Sequence, residues 1–182
     1  MDNNTLDLKD VLERVQDDWE LLMELLDIFY EIHEETSKRQ GFVPYSKKFL
    51  EAQLKVFAPL DQIKIFVGMY EGKPIAAAVI MYYGNEGAYH HGASLSEYNK
   101  IPASYSIQWE AIKEAKKRGM KIYNFWGVVE DAPKHPWAGL SFFKQGFGGG
   151  GRPILHCKDL PLTKKYWLNW IVETVRRIKR GY

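Results

Sequence analysis

The sequence predicts an α/β chain of the α+β kind, with a mixed, mostly antiparallel central sheet flanked by helices. Three observations predict it. Residues 19 to 57 carry apolar side chains at three- and four-residue spacing, the mark of helices with one buried face. Residues 63 to 94 form runs rich in β-branched and aromatic residues separated by short turns, the mark of an antiparallel meander. Beyond residue 103 a helix feeds a strand through a connection of one or two residues, which suits a crossover into a parallel pairing.

The elements follow in order. From Trp19, the residues Leu22, Leu25, Leu26, Phe29, Ile32 and His33 define an amphipathic helix that runs toward Gly41 and ends on Lys38 and Arg39. Ser46 is a suitable N-cap for a second helix bearing Phe49, Leu50, Leu54 and Phe57, which Pro59 stops. IKIFVGMYE (63–71) and PIAAAVIMYYG (74–84) pair as a hairpin around Glu71, Gly72 and Lys73, and GAYHHGAS (87–94) adds a third antiparallel strand. ASYSIQWEAIKEAKKRG (103–119) is a helix, with Lys116, Lys117 and Arg118 complementing the dipole before Gly119 ends it. KIYNFWGV (121–128) reads as a strand, 139–146 as a short helix, RPILHCKDL as a late strand and LTKKYWLNWIVETVRRIKR as a terminal helix.

Composition bounds the rest. With 182 residues, 46% hydrophobic and 14% aromatic, the chain has material for one well-buried core, so residues 1–182 are expected to form a single domain. Lys and Arg total 25 against 23 Asp and Glu, a formal charge of +2 that neither favours nor excludes a polyanionic partner. The one cysteine, Cys157, can form no internal disulfide, and MDNNTLDLKDVLERV is too polar for a signal peptide. No run approaches the ~20 apolar residues of a membrane span, so a cytoplasmic chain without a transmembrane segment is expected. No metal-ligand spacing, phosphate loop or nucleophilic triad stands out, and no metal is expected.

The element order is the one expected of an acyltransferase fold of the N-acetyltransferase (GNAT) superfamily. That fold generically holds a pyrophosphate on the backbone amides of a glycine-rich turn opening a helix. Here the corresponding connection, SLSEYNKIPASYS, contains no glycine, so its backbone cannot approach a pyrophosphate as closely. No cofactor is therefore expected, acetyl-coenzyme A included.

Four ordered stretches, "FYEIHEETSKRQGF" (29–42), "GAYHHGAS" (87–94), "IQWEAIKEAKKRGMKIYNFWGV" (107–128) and "HPWAGLSFFKQGFGG" (135–149), resemble the Fem (FemABX) family of peptidoglycan-bridge aminoacyltransferases. The resemblance runs from about Leu21 to Tyr166. Its most specific part is the closing Gly-Leu, Phe-Lys and Phe-Gly-Gly pattern. It implies transfer of an amino acid from aminoacyl-tRNA to the stem-peptide amine of a peptidoglycan precursor, UDP-linked or lipid-linked. Fem enzymes usually carry two acyltransferase-like domains in tandem, and this chain is similar to the second alone. A partner domain or a homodimer would then complete it.

Lys144 is the first candidate for chemistry, because an ester attacked by an amine passes through an oxyanion that a fixed cation beside an apolar wall stabilises. The resemblance implies that Phe143 packs beside it in the cleft; the plainer alternative is a solvated lysine on a short amphipathic helix. Arg39, in a "T..R..GF" setting, suits bidentate binding of a diphosphate, or else complements a helix C-terminus. By the same resemblance Tyr89 lines the cleft, with an ordinary cross-strand tyrosine as the alternative. Asp131, just beyond the 121–128 strand, is the candidate to orient the incoming amine or take its proton, and is otherwise a solvated loop acid. His90 and His91 are neighbours on a strand and are expected on opposite faces, where they cannot share an ion. His135, just before Pro136 in a loop, could serve as a general base and otherwise fixes the loop, and Trp109 and Trp126 read as core.

The terminal helix gathers Trp167, Trp170, Ile171, Val175 and Ile178 on one side and Arg176, Arg177, Lys179 and Arg180 near its end. Those cations suit a tRNA backbone, or simply dipole complementation and solubility. Two readings stand beside aminoacyl transfer: an N-acyltransferase using coenzyme A or another donor, and a non-catalytic module that binds a muropeptide or a partner chain.

Overall fold

The computed structural model describes residues 19–129, 135–155 and 158–180. The chain divides into two compact units, one running to Trp126 and the other from Gly127.

The first unit is built on a four-stranded sheet of order β1-β2-β3-β4. Its strands are β1 (Ile63–Tyr70), β2 (Lys73–Tyr83), β3 (Glu86–Ser94) and β4 (Ile122–Asn124). The first three pair antiparallel, and β4 joins β3 in parallel, so the expected mixed sheet is present. The hairpin loop is tighter than expected. Tyr70 pairs with Lys73, leaving Glu71 (φ 49°) and Gly72 (φ 75°) as the two turn residues. Both lie in the left-handed region, as the two-residue turn matching the twist of paired strands requires.

Helices α1 (Trp19–Gln40) and α2 (Lys47–Phe57) cover one face of the sheet. The apolar stripe of α1 is buried as its spacing predicts, with Phe29 fully enclosed and His33 only 5% exposed. Ser46 caps α2 by accepting from the Phe49 amide at 3.3 Å, while Leu50 and Leu54 enter the core. Phe49 itself stays largely exposed and stacks on Tyr45 instead. Helix α3 (Ala103–Lys117) covers the other face, packing Ile107, Ala111 and Ala115 on Phe66, Ile80 and Tyr82. Gly119 then takes φ 75° and turns the chain toward β4.

Strand β4 is shorter than the eight residues expected, and Asn124 explains why. Its Oδ1 accepts from the Trp126 amide at 2.7 Å and its Nδ2 donates to Glu86 Oε1 at 2.8 Å. These side-chain bonds replace the ladder, and Trp126, at φ 62°, carries the chain out of the strand. Trp109 and Trp126, expected in the core, are each 57% exposed.

The second unit holds α4 (Ala138–Gln145) and α5 (Tyr166–Arg180). The late strand expected over RPILHCKDL is not found. Residues 152–155 and 158–160 form no ladder among the described residues, Ile154 and Leu155 are almost fully exposed, and Pro153 has no N–H to give. Cys157 lies outside the described residues. The apolar side of α5 is present as a helix face but is exposed along its length.

Candidate functional site

Two stretches of helix α4 and the segment before it decide where Lys144 points. Ser141 and Lys144, three residues apart, share one face of α4. Ser141 Oγ accepts from the Val129 amide at 2.8 Å, and Lys144 Nζ donates to the Gly127 carbonyl at 2.8 Å. The helix thus holds the backbone that follows β4 at two alternate positions. Both side chains are buried, Ser141 to 4% exposure and Lys144 to 9%. Burial holds the lysine ammonium below the ordinary lysine range.

The solvated-lysine alternative therefore fails: Lys144 is an enclosed cation. Of its three donors, the described residues engage one, on Gly127. An ammonium so held can stabilise an oxyanion, because its charge is poorly screened and its position is fixed. Phe143 packs edge-on against Phe147 with ring centroids 5.5 Å apart, while its neighbour Phe142 is exposed. The only sign of Ser141 in the sequence is its three-residue spacing from Lys144. His135 Nδ1 accepts from the Trp137 amide at 3.1 Å, which is the loop-fixing contact expected of it. Asp131 lies outside the described residues.

In the first unit, Arg39 at the end of α1 donates to the Ser94 carbonyl at 3.0 Å and lies 3.6 Å from Glu35. Thr36 accepts from the Ser94 amide and donates to the same carbonyl, each at 3.1 Å. Arg39 thereby ties the α1 terminus to the end of β3. A phosphate reaching its guanidinium would compete with Glu35.

Tyr89 belongs to the opposite side of the sheet, against the α3 cluster, so Arg39 and Tyr89 do not share one face. Its ring meets Phe125 edge-on at 6.2 Å, and Phe125 in turn meets Tyr123 at 5.0 Å. The Tyr123 hydroxyl donates to Gln108 Oε1 at 2.7 Å, so a wall of three aromatics is anchored on α3. Burial pushes the Tyr89 hydroxyl up to about 12, which keeps it neutral and a donor at physiological pH.

His90 and His91 depart from expectation. Val79 pairs with His91 and Ile80 with Tyr89, leaving His90 as the extra residue of a β-bulge. The bulge breaks the alternation of faces and brings the two rings to 4.1 Å. His33 on α1 joins them, 6.1 Å from His91, and Gln53 on α2 bonds His90 at 3.0 Å. Desolvation lowers all three imidazoles, His91 to about 3 with help from the charges of His90 and His33. Among the described residues no group of His, Cys, Asp and Glu is arranged to hold a metal ion, and no helix is long and apolar enough to cross a membrane.

Comparison with known proteins places this geometry. The chain aligns with the solved structure of FemX over 66% of its own length and 47% of FemX, with a TM-score of 0.61 at 18% identity. It aligns with the aminoglycoside acetyltransferase AAC(6')-Iy over 75% of its length and 93% of that chain, with a TM-score of 0.53 at 12% identity. These likenesses establish the GNAT-like fold. In sequence, it is 32% identical over 108 residues to aminoacyltransferase FemA of Staphylococcus epidermidis, covering 59% of this chain and 25% of that one. It is 33% identical over 79 residues to lipid II:glycine glycyltransferase of the same species, covering 43% of this chain and 19% of the relative. The chain thus spans a quarter or less of the curated relatives it matches. The family model described as FemAB matches residues 60–153, more than half of the sequence and all of the stretch from β1 to the glycines after α4, and the chain belongs to the FemAB family.

Proposed function

We propose that this chain serves aminoacyl transfer in peptidoglycan bridge formation, as the names of its relatives suggest. The amine of a stem peptide, on a UDP-linked or lipid-linked precursor, attacks the ester carbonyl of an aminoacyl-tRNA. A C–N bond forms, the ester C–O bond breaks, and the ribose oxygen leaves with a proton surrendered by the amine. The observation that carries this reading is the enclosed Lys144 ammonium, held on Gly127 in a chain of the FemAB family.

In this scheme Lys144 stabilises the oxyanion, and Phe143 and Tyr89 contact substrate, each from its own unit. Arg39 binds precursor phosphate in exchange for its contact with Glu35. Asp131 orients the amine or takes its proton. No cofactor enters the reaction, and its setting is the cytoplasm. Residues 1–182 act as one domain similar to the C-terminal domain of Fem-type transferases, completed by a partner domain or a second copy.

The test is a transfer assay with charged tRNA and precursor, preceded by calorimetric titration of the precursor. Lys144→Ala is expected to lower transfer by ~10²–10³-fold with precursor binding retained, the size of effect that one oxyanion donor has elsewhere. Arg39→Ala is expected to weaken precursor binding instead. Undiminished transfer by Lys144→Ala would sink the catalytic assignment. Precursor binding without turnover by the wild type would instead identify a non-catalytic muropeptide-binding module.

A further inference from the structure

Helix α5 is the most strongly amphipathic helix described, and its apolar side has no cover among the described residues. At 100° per residue, Trp167, Leu168, Ile171, Val175 and Ile178 fall within an arc of about 100°. Each is between 46% and 73% exposed. Trp167 and Trp170 meet edge-on at 6.1 Å near the start of the helix, with Tyr166 packed on Trp167.

Charge decides what covers this face. Residues 163–180 contain six Lys and Arg and a single acid, Glu173, while the whole chain carries only +2, so everything outside that segment is net negative. Arg176 pairs with Glu173 at 2.7 Å, which leaves the segment strongly cationic. An apolar stripe with aromatics and two lysines at one end and four cations at the other matches the two-layer chemistry of an anionic bilayer surface, apolar below and negative above. The acidic remainder of the chain would be repelled from the same surface, which favours contact through α5 alone.

We propose that α5 is an interfacial anchor that lies on anionic lipid, with Trp167, Leu168, Ile171, Val175 and Ile178 inserted and the Lys and Arg side chains at the headgroups. This does not depend on the transferase reading, because it needs no precursor and no turnover. If both hold, the helix would bring the domain to the surface where a lipid-linked acceptor resides.

The experiment is flotation of the full chain with vesicles of phosphatidylglycerol and phosphatidylcholine, and with vesicles of phosphatidylcholine alone, together with tryptophan emission. Binding to the anionic vesicles with a blue shift is expected, weakening as salt rises. Each cation near such a surface contributes about fivefold to partition, so Arg176→Glu with Arg177→Glu should reduce binding at least tenfold. Ile171→Asp with Val175→Asp should do the same; both sites are already half exposed, and far-UV circular dichroism checks the fold. The charge variant keeps the test decisive should the apolar variant misfold. Absence of binding at low salt overturns the proposal, as does full binding by a folded apolar variant. A dimer in sedimentation that the apolar variant abolishes, with no vesicle binding, would assign the face to a second copy. Retention of bulk tRNA by the cations without vesicle binding would assign it to nucleic acid.

Discussion

Three histidine rings meet between α1 and β3, and their surroundings make the protein sensitive to acid. His33, His90 and His91 are enclosed by Phe29, Phe42, Tyr45 and Gln53, and no carboxylate is paired with any of them among the described residues. His33 Nδ1 and His91 Nε2 have no hydrogen-bond partner among the described residues, so neither ring is stabilised in its charged form. His91 falls to about 3 in the fold, first because burial strips its water and then because its neighbours repel a second charge. In the unfolded chain it titrates near 6.5. A lowered folded value means that the unfolded state binds the proton first, so the stability from a neutral His91 is complete above about 6.5 and is lost as pH falls toward 3. Between pH 7.5 and 5 the loss from His91 is expected to be about 1–2 kcal/mol. Urea midpoints at the two pH values measure it. His91→Leu should flatten the dependence, and an equal slope in that variant would show that other groups carry it.

At the scale of elements, the bulge in β3 sets up both the histidine cluster and the seat of Tyr89. A Cβ placed on Gly92 would overlap the Tyr89 hydroxyl, so the glycine is there to let that ring lie along its own strand. Gly92→Ala should cost about 1–3 kcal/mol by forcing the tyrosine out of its packed position. In a Tyr89→Leu background the same change should cost far less, and a double-mutant cycle in urea measures the coupling. Additive losses would mean that the strand backbone, not the tyrosine, resists the side chain. The bulge was not visible in the sequence, because strict alternation is the only strand pattern that local residues announce, and it sent His90 and His91 to opposite faces. The α1 stripe and the hairpin were visible, since burial there follows the helical period and the Glu71-Gly72 turn supplies its own signal. Strand β4 ends sooner than its residues predict because Asn124 diverts its own backbone, and a side chain's choice of a local partner over a ladder is settled only in three dimensions. Lys144 was singled out by its setting, but its partner Gly127 lies 17 residues away, beyond the reach of any periodicity.

At the scale of the whole molecule, apolar burial is unevenly shared. Every fully buried hydrophobic side chain among the described residues lies at or before Ala115, on the two faces of the sheet. Beyond Gly127 the buried side chains described are Ser141 and Lys144, both polar. Two hydrogen bonds hold α4 to the segment after β4, and a hydrogen bond nets only about 1 kcal/mol against the entropy of ordering several residues. The second unit therefore cannot match the first in local stability. Hydrogen exchange on the full chain should show amides of α1, β1 to β3 and α3 exchanging only by global unfolding, with those of α5 at least ~10³-fold faster under native conditions. Fast exchange in α5 also fits a helix whose apolar face is satisfied only when it meets a surface, so added anionic vesicles should slow α5 and leave β1 to β3 unchanged. Uniform protection across both units would instead overturn this ranking of their local stabilities.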